Sequence, residues 1–336
     1  MTHELEQILN AALIARKKGQ DCVFVSLVHL KGSSYRKPGV RMLIKSNNEM
    51  VGAVSGGCVE KEIMRQAQSV FESKEPKMMV YDGRFRLGCE GLLHLLIEPF
   101  ELNEVEILKL KECINAREEI LIRSFYSLDI ENTAGIGSLF KTRKNEQIFF
   151  QRQLETDQNS LVFDENLIAK NRLIIAGAEH DAIQLSKQAI FLGWDVAILS
   201  SIREHKSNEH FPPEVSFIET EPELFDFSVI DDQTAVVLMT HNYVKDLKFL
   251  LQLKKESLKY VGILGPKARL DKLLNELMEH VPDIEPNFFS SIHGPAGLDI
   301  GSVSPQEIAL SIMSQVLNIF REKNASLLPL ATNAQC

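Results

Sequence analysis

Along the first hundred residues the apolar positions alternate between helical and strand spacing. Leu5, Ile8, Leu9, Leu13 and Ile14 form a stripe at helical period, so residues 5–18 predict a helix that Gly19-Gln20-Asp21 ends. Cys22 to Leu30 reads as a strand running into the turn Gly32-Ser33-Ser34. Val40 to Ile44 and Val51 to Val54 predict a hairpin across Ser46-Asn47-Asn48-Glu49. Val59 to Phe71 predicts a second helix, and Met78 to Tyr81 and Leu92 to Ile97 predict further strands. A helix near Glu104 to Ala116 and short strands at Ile120 to Phe125, Gly137 to Lys141 and Gln147 to Gln151 complete this section.

From Arg172 the rhythm changes to alternating strands and helices. Strands are predicted at Leu173 to Ala176, Asp195 to Leu199, Ala235 to Met239 and Tyr260 to Leu264, and helices at Ala182 to Leu192 and Val244 to Lys255. Such alternation implies a parallel sheet covered on both faces. Pro305 to Phe320 is a last helix, with Ser304 as N-cap, Pro305 at the first position and Glu307 where a capping box needs it. The fold class is therefore α/β: an N-terminal α+β domain over residues 1–165, a Rossmann-like domain with a parallel sheet over 166–325, and a frayed tail over 326–336.

The composition narrows the function. The chain has 336 residues, 44% hydrophobic and 25% charged, as in soluble globular proteins of two domains. With 37 basic and 46 acidic residues its net charge is −9, which argues against nucleic acid or an anionic membrane surface as partner. Five cysteines, odd in number and irregularly spaced, do not make a disulfide scaffold and suit a reducing compartment. There is no CxxC pair, no signal-peptide pattern and no apolar run of membrane-spanning length, so a cytoplasmic protein is expected.

Two short turns carry candidate chemistry. Ser55-Gly56-Gly57-Cys58-Val59-Glu60 and Leu87-Gly88-Cys89-Glu90-Gly91 each set a cysteine among glycines. Glycines let the backbone come close to a bound group, and a thiol displayed there can serve as nucleophile, redox centre or soft metal ligand. The same residues would equally suit packing in tight turns. Cys58 and Cys89 are the candidate thiols, with their role left open among these, and Gly56, Gly57 and Gly88 the candidate backbone contacts. Arg36, Lys37 and Arg41 lie together along the chain, where by themselves they read as a solvated hairpin face.

In the second domain Gly177-Ala178-Glu179-His180-Asp181-Ala182 stands where a dinucleotide fold carries G-x-G-x-x-G/A. Gly177 and Ala182 conform. Glu179 replaces the glycine that lets the backbone approach a pyrophosphate, and Ser200-Ser201 stand where an acid would bind a ribose. Conventional NAD(P) binding is therefore not expected. Other strand-end loops are candidates for a ligand: Met239-Thr240-His241-Asn242, Gly265-Pro266-Lys267 with Arg269 near a helix N-terminus, and the glycine-rich run from His293 to Gly301. His241, Gly265, Gly297 and Asp299 are the residues singled out there. Open α/β sheets gather such loops at one edge, which is expected to face the first domain, either its own or a dimer mate's.

Taken in order, these segments resemble the XdhC/CoxI family, accessory proteins for molybdenum hydroxylases such as xanthine dehydrogenase. The resemblance rests on residues 32–42, Gly52 to Glu60, Leu87 to Gly91 and Glu98-Pro99, then on Tyr260-Val261-Gly262, Gly265, Gly297 to Gly301 and Pro305 to Ile312. The chain departs from the family at its GxGHxG-like turn, keeping His180 but losing two glycines, and at Glu90. The resemblance implies a chaperone that binds molybdenum cofactor and assists its sulfuration and insertion into an apo-hydroxylase. A cysteine desulfurase would be a further partner, and a homodimer the expected assembly. On that view Arg36 and Arg41 meet the phosphate, and Cys58 or Cys89 meets the molybdenum or its sulfido ligand. Two rivals remain: a nicotinamide-dependent oxidoreductase using the second domain, and a cofactor-free assembly factor.

Overall fold

Packing of the α1 stripe starts the first core. In the computed structural model, which describes residues 2–34, 36–55, 57–83, 91–129, 133–152, 154, 160–204, 207–254 and 258–321, α1 (Thr2–Lys17) buries Leu5, Ile8, Leu9 and Ala12. These meet Ile107, Leu110 and Ile114 of α3 (Glu104–Asn115) and Phe24 and Leu43 of the sheet below. That sheet is antiparallel, in the order β3-β2-β1-β5-β4, from β1 (Cys22–Lys31), β2 (Arg41–Lys45), β3 (Met50–Gly52), β4 (Lys77–Asp82) and β5 (Leu92–Pro99). Strand alternation sends Val23, Val25 and Leu27 to its other face. There they pack with Ile63, Ala67 and Val70 of α2 (Cys58–Ser73).

A second antiparallel sheet, in the order β8-β7-β6-β9, comprises β6 (Ile120–Tyr126), β7 (Gly137–Thr142), β8 (Gln147–Phe149) and β9 (Leu161–Leu167). The hydrophobic pattern does not announce β9. It is an edge strand whose exposed Leu161, Val162 and Asp164 blur the alternation. Because β9 pairs along β6 as far as Leu167, the first compact unit runs to Ala169, and the second begins at Lys170.

In the second unit six parallel strands lie in the order β12-β11-β10-β13-β14-β15. They are β10 (Arg172–Ala176), β11 (Asp195–Ser200), β12 (Ser216–Glu219), β13 (Thr234–Leu238), β14 (Tyr260–Ile263) and β15 (Ile292–His293). The run of buried Leu173, Ile174, Ile175 and Ala176 in β10 is that of a strand covered on both faces. Alternate residues divide between a core with α4 (His180–Phe191) and α8 (Pro305–Phe320) and another with α5 (Tyr243–Leu253), α6 (Lys267–His280) and the short α7 (Pro286–Ser291). Ser304 and Glu307 form the expected capping box on α8. The fold class is as the sequence implies: antiparallel sheets in the first unit and a Rossmann-like parallel sheet in the second.

Candidate functional site

Strand register gathers the first unit's candidate loops at one end of its five-stranded sheet. Lys31 at the end of β1 pairs with Leu92 at the start of β5, which pairs with Asp82 at the end of β4. Gly52 at the end of β3 pairs with Met42 beside the start of β2. The segments 32–40, 53–57 and 83–91 therefore all leave from that end, although they are far apart in sequence. Two of them touch: a Cβ on Gly91 would stand 2.6 Å from the Ser33 carbonyl oxygen. Gly56, Gly88 and Cys89 lie outside the described residues. Cys58 is the first residue of α2. Its N-cap, Gly57 (φ 62°), makes no side-chain cap, and no described atom lies within 4 Å of where its Cβ would be.

Arg41 does not present its charge as the sequence suggests. Its side chain is 5% exposed, with Nη2 2.5 Å from Glu165 Oε2 and Nη1 donating to the Gly39 carbonyl at 2.8 Å. Its place in β2 points it inward, where a guanidinium without a carboxylate would be costly. Neither a ligand contact nor a solvated face describes it. Gly39, at φ 102°, must be glycine: a Cβ would stand 2.7 Å from Glu165 Oε2. Arg36 remains half-buried within the loop and Lys37 is exposed.

Near the same sheet end, His94 pairs with His29 across the strands, their ring centroids 5.1 Å apart, and His29 stacks on Tyr126. Burial lowers the His94 pKa, helped by His29 and Lys31, and its Nδ1 has no partner. Among the described residues no group of three His, Cys, Asp or Glu side chains could hold a metal ion.

In the second unit the loops carrying Gly177, His241, Gly265 and Gly297 follow β10, β13, β14 and β15, so all stand at the carboxyl edge of the sheet. Gly177, at φ 118°, is tightly enclosed: a Cβ would be 2.7 Å from the Met239 carbonyl carbon. The glycine is thus demanded by the neighbouring strand, whatever binds. The crevice beside it is lined by Glu179, Ser201, Glu204, Glu221 and Lys245, among others, and encloses only about 10 Å³, one water's worth. Ser201 Oγ donates to Glu221 Oε1 at 2.6 Å, and Lys245 pairs with Glu204. Three carboxylates, Glu179, Glu204 and Glu221, line the groove where a pyrophosphate would lie. These residues do not fit NAD(P).

His180 is exposed at the start of α4, and the exposed His241, at φ 54°, has Nε2 3.8 Å from Asp181 Oδ2. Arg269 is turned inward: Nη2 donates to Asp246 Oδ2 at 2.7 Å, while Thr240 Oγ1 donates to Asp246 Oδ1 at 2.6 Å. Its side chain lies against Gly265, where a Cβ would come within 2.8 Å of Arg269 Cδ. Gly297 packs on α8, its N–H donating to Gln315 Oε1 at 2.8 Å and a Cβ standing 3.1 Å from the Ile312 nitrogen. Gly265 and Gly297 are therefore close-packing positions in this fold rather than open cradles, whereas Asp299 is exposed. Sequence reasoning missed Asp246, Glu165 and Gln315. Asp246 sits in the first turn of α5, and its total burial marks it. Glu98, which the sequence shows only as part of a motif, was detectable as the lone acid in an apolar strand.

Helix starts divide into two kinds. Asn103, Asn242 and Ser304 cap α3, α5 and α8 with their side chains. The helices α2, α4 and α6, which follow the glycine turns, have no side-chain cap at Gly57, Glu179 and Pro266. Their first N–H groups are free of that local acceptor, as anion-receiving helix ends are.

These features define a two-unit α/β protein with a Rossmann-like second unit whose dinucleotide crevice is narrow and lined by carboxylates. The chain belongs to the XdhC and CoxI family. Residues 15–82 match that family and residues 173–316 match the XdhC Rossmann domain. It is 27% identical to a probable xanthine dehydrogenase subunit of Bacillus subtilis, over 89% of this chain and 93% of the relative. It is 24% identical to the molybdenum cofactor insertion chaperone PaoD of Escherichia coli, over 98% and 93%. A crystal structure of a xanthine dehydrogenase from Bacillus halodurans superposes with a TM-score of 0.78 at 26% identity, covering 96% of this chain and 98% of that one. No described helix is long and apolar enough to cross a membrane.

Proposed function

We propose that this chain is an accessory protein that binds molybdenum cofactor and helps insert it into a xanthine dehydrogenase-type hydroxylase. The observation that carries the reading is the convergence of the segments 32–40, 53–57 and 83–91 at one sheet end. Described residues of those segments set Arg36 and the uncapped start of α2, whose first residue is Cys58, at that end. The names of the relatives, an insertion chaperone and a component of xanthine dehydrogenase, support the same role.

The cargo is a phosphate-bearing pterin with a soft-ligated metal, and the residues fit each part. The first N–H groups of α2, beside which no described atom lies within 4 Å of a Cβ at Gly57, and the Arg36 guanidinium suit the phosphate. A thiolate at Cys58 or Cys89 suits molybdenum or its sulfido ligand. Cys58 opens a helix, which favours its anion by about 0.3–1 kcal/mol, whereas Glu90 beside Cys89 opposes one there. Cys58 is thus the more reactive thiol in this reading. Sulfuration by a cysteine desulfurase, a cytoplasmic setting and a homodimer belong to the same proposal. The narrow, acid-lined crevice of the second unit weighs against the oxidoreductase alternative.

The test is bound molybdenum per chain after mixing with molybdopterin, in wild type, Cys58→Ala and Cys89→Ala. Loading should fall in the variants, most in the first, with melting temperatures kept within a few degrees. Equal loading in all three would reduce both cysteines to turn packing, and no loading of the wild type would leave an assembly factor without cofactor.

A further inference from the structure

Arg41 and Glu98 bring a cation and a carboxylate into the first unit's interior, with the partly exposed Glu165 at its margin. Glu98 is 0% exposed, and its Oε2 accepts from the Ser138 N–H at 2.7 Å. Its Oε1, Arg41 Nε and the hydroxyl of Ser26 are buried without hydrogen-bond partners. Register places these groups on one face: Arg41 pairs with Ser26, Ser26 with Leu96, and Glu98 lies two residues beyond Leu96. Buried orphan polar atoms are few in native interiors, so a cluster of them calls for an explanation.

Arg41 faces two carboxylates, the fully buried Glu98 and the partly exposed Glu165. Arg41 is already committed to Glu165, and burial pushes the Glu98 carboxyl up to about 8, with Ser138 and Arg41 pulling the other way. The groups around Glu98 are Arg41 of β2, Glu165 of β9 acting through it, Ser26 of β1, and Ser138 of β7 with Ser124 of β6 behind it. His94, on the same face of β5, has a lowered pKa and stays neutral above pH 7.

We propose that Glu98 is a proton-linked clamp on the base of the loop 32–40. With the proton on Glu98, Arg41 holds both Glu165 and the Gly39 carbonyl, and Gly39 sits against the Glu165 carboxylate. When Glu98 releases its proton to solvent, its carboxylate competes for the Arg41 guanidinium and loosens the Gly39 turn. That turn is anchored by Gly39 N–H to Leu27 carbonyl at 2.9 Å and Leu27 N–H to Val40 carbonyl at 3.1 Å. No covalent step is involved.

The two anchoring amides are the reporters. Hydrogen exchange at Gly39 and Leu27 is followed by NMR in the full chain from pH 7 to pH 9, corrected for intrinsic rates. Wild type should lose protection by roughly tenfold, the effect of one pKa unit, while Glu98→Gln keeps it. Equal loss in the two proteins, or none in wild type, overturns the clamp. If Glu98→Gln does not fold, Glu165→Gln replaces it and should expose the Gly39 amide already at pH 7; full protection there overturns the proposal. No cofactor enters the measurement, so its outcome is independent of molybdenum binding.

Discussion

Arg269 Nη2 donates to Asp246 Oδ2 at 2.7 Å, so a cation that the sequence offers to a bound anion is held inside the second unit. Asp246 is 0% exposed and also takes the Thr240 hydroxyl, which ties α5, α6 and the loop bearing His241 together. Asp246→Ala leaves a partly buried guanidinium unpaired and should cost about 3–5 kcal/mol. Adding Arg269→Met should recover much of that loss, because an apolar replacement of both partners restores balance. Urea unfolding of the single and double variants checks this. A wild-type midpoint for Asp246→Ala would show that the pair contributes nothing.

Gly177→Ala separates packing from ligand approach. Its positive φ and the Met239 carbonyl beside it should make the variant about 2–4 kcal/mol less stable with no ligand present. Thermal melting reads it directly. Unchanged stability would mean that the strand can yield and that the glycine serves something else.

NAD and NADP should bind in the millimolar range or more weakly, at about −4 kcal/mol or less favourable. Glu179, Glu204 and Glu221 line the crevice and repel a pyrophosphate. Glu179→Gly alone should improve binding only slightly, since the Lys245–Glu204 and Ser201–Glu221 contacts persist. Micromolar affinity by calorimetry in the wild type would overturn this view of the crevice.

Glu98 should make stability fall with pH. Its folded pKa is raised from 4.5 to about 8, so the folded chain keeps a proton that the unfolded chain releases. That contribution is complete below about 4.5 and is lost as pH rises through about 8. The stability difference between wild type and Glu98→Gln should therefore move against wild type from pH 5 to pH 8.5. Urea midpoints at several pH values measure it, and a constant difference would mean that Glu98 is ionised throughout.

Elements with a strong period were legible from the chain alone. The α1 stripe, the hairpin of β2 and β3, the alternation after Arg172 and the Ser304 capping box all stand where local pattern puts them. Their signals are local because capping and amphipathic spacing act within a few residues. The edge strands β9 and β12 carried no such signal, since exposure on several sides removes the alternation. The glycine at 177 and the faulty dinucleotide turn were also visible, although the reason for that glycine, the Met239 carbonyl, lies on another strand.

Which charges are available was decided by tertiary structure. Arg36, Lys37 and Arg41 look alike along the chain, yet strand alternation turns Arg41 inward to Glu165, well over a hundred residues away, and leaves Lys37 in solvent. In the same way Arg269 meets Asp246, and Gly297 meets Gln315, only when α6 and α8 dock. The sequence by itself determined the two-part architecture, the Ser304 cap of α8 and the candidate turns, because those depend on neighbours in the chain. The tertiary structure alone decided that the segments 32–40, 53–57 and 83–91 share one sheet end and that Glu98 loses its water, because register and burial depend on partners distant in sequence.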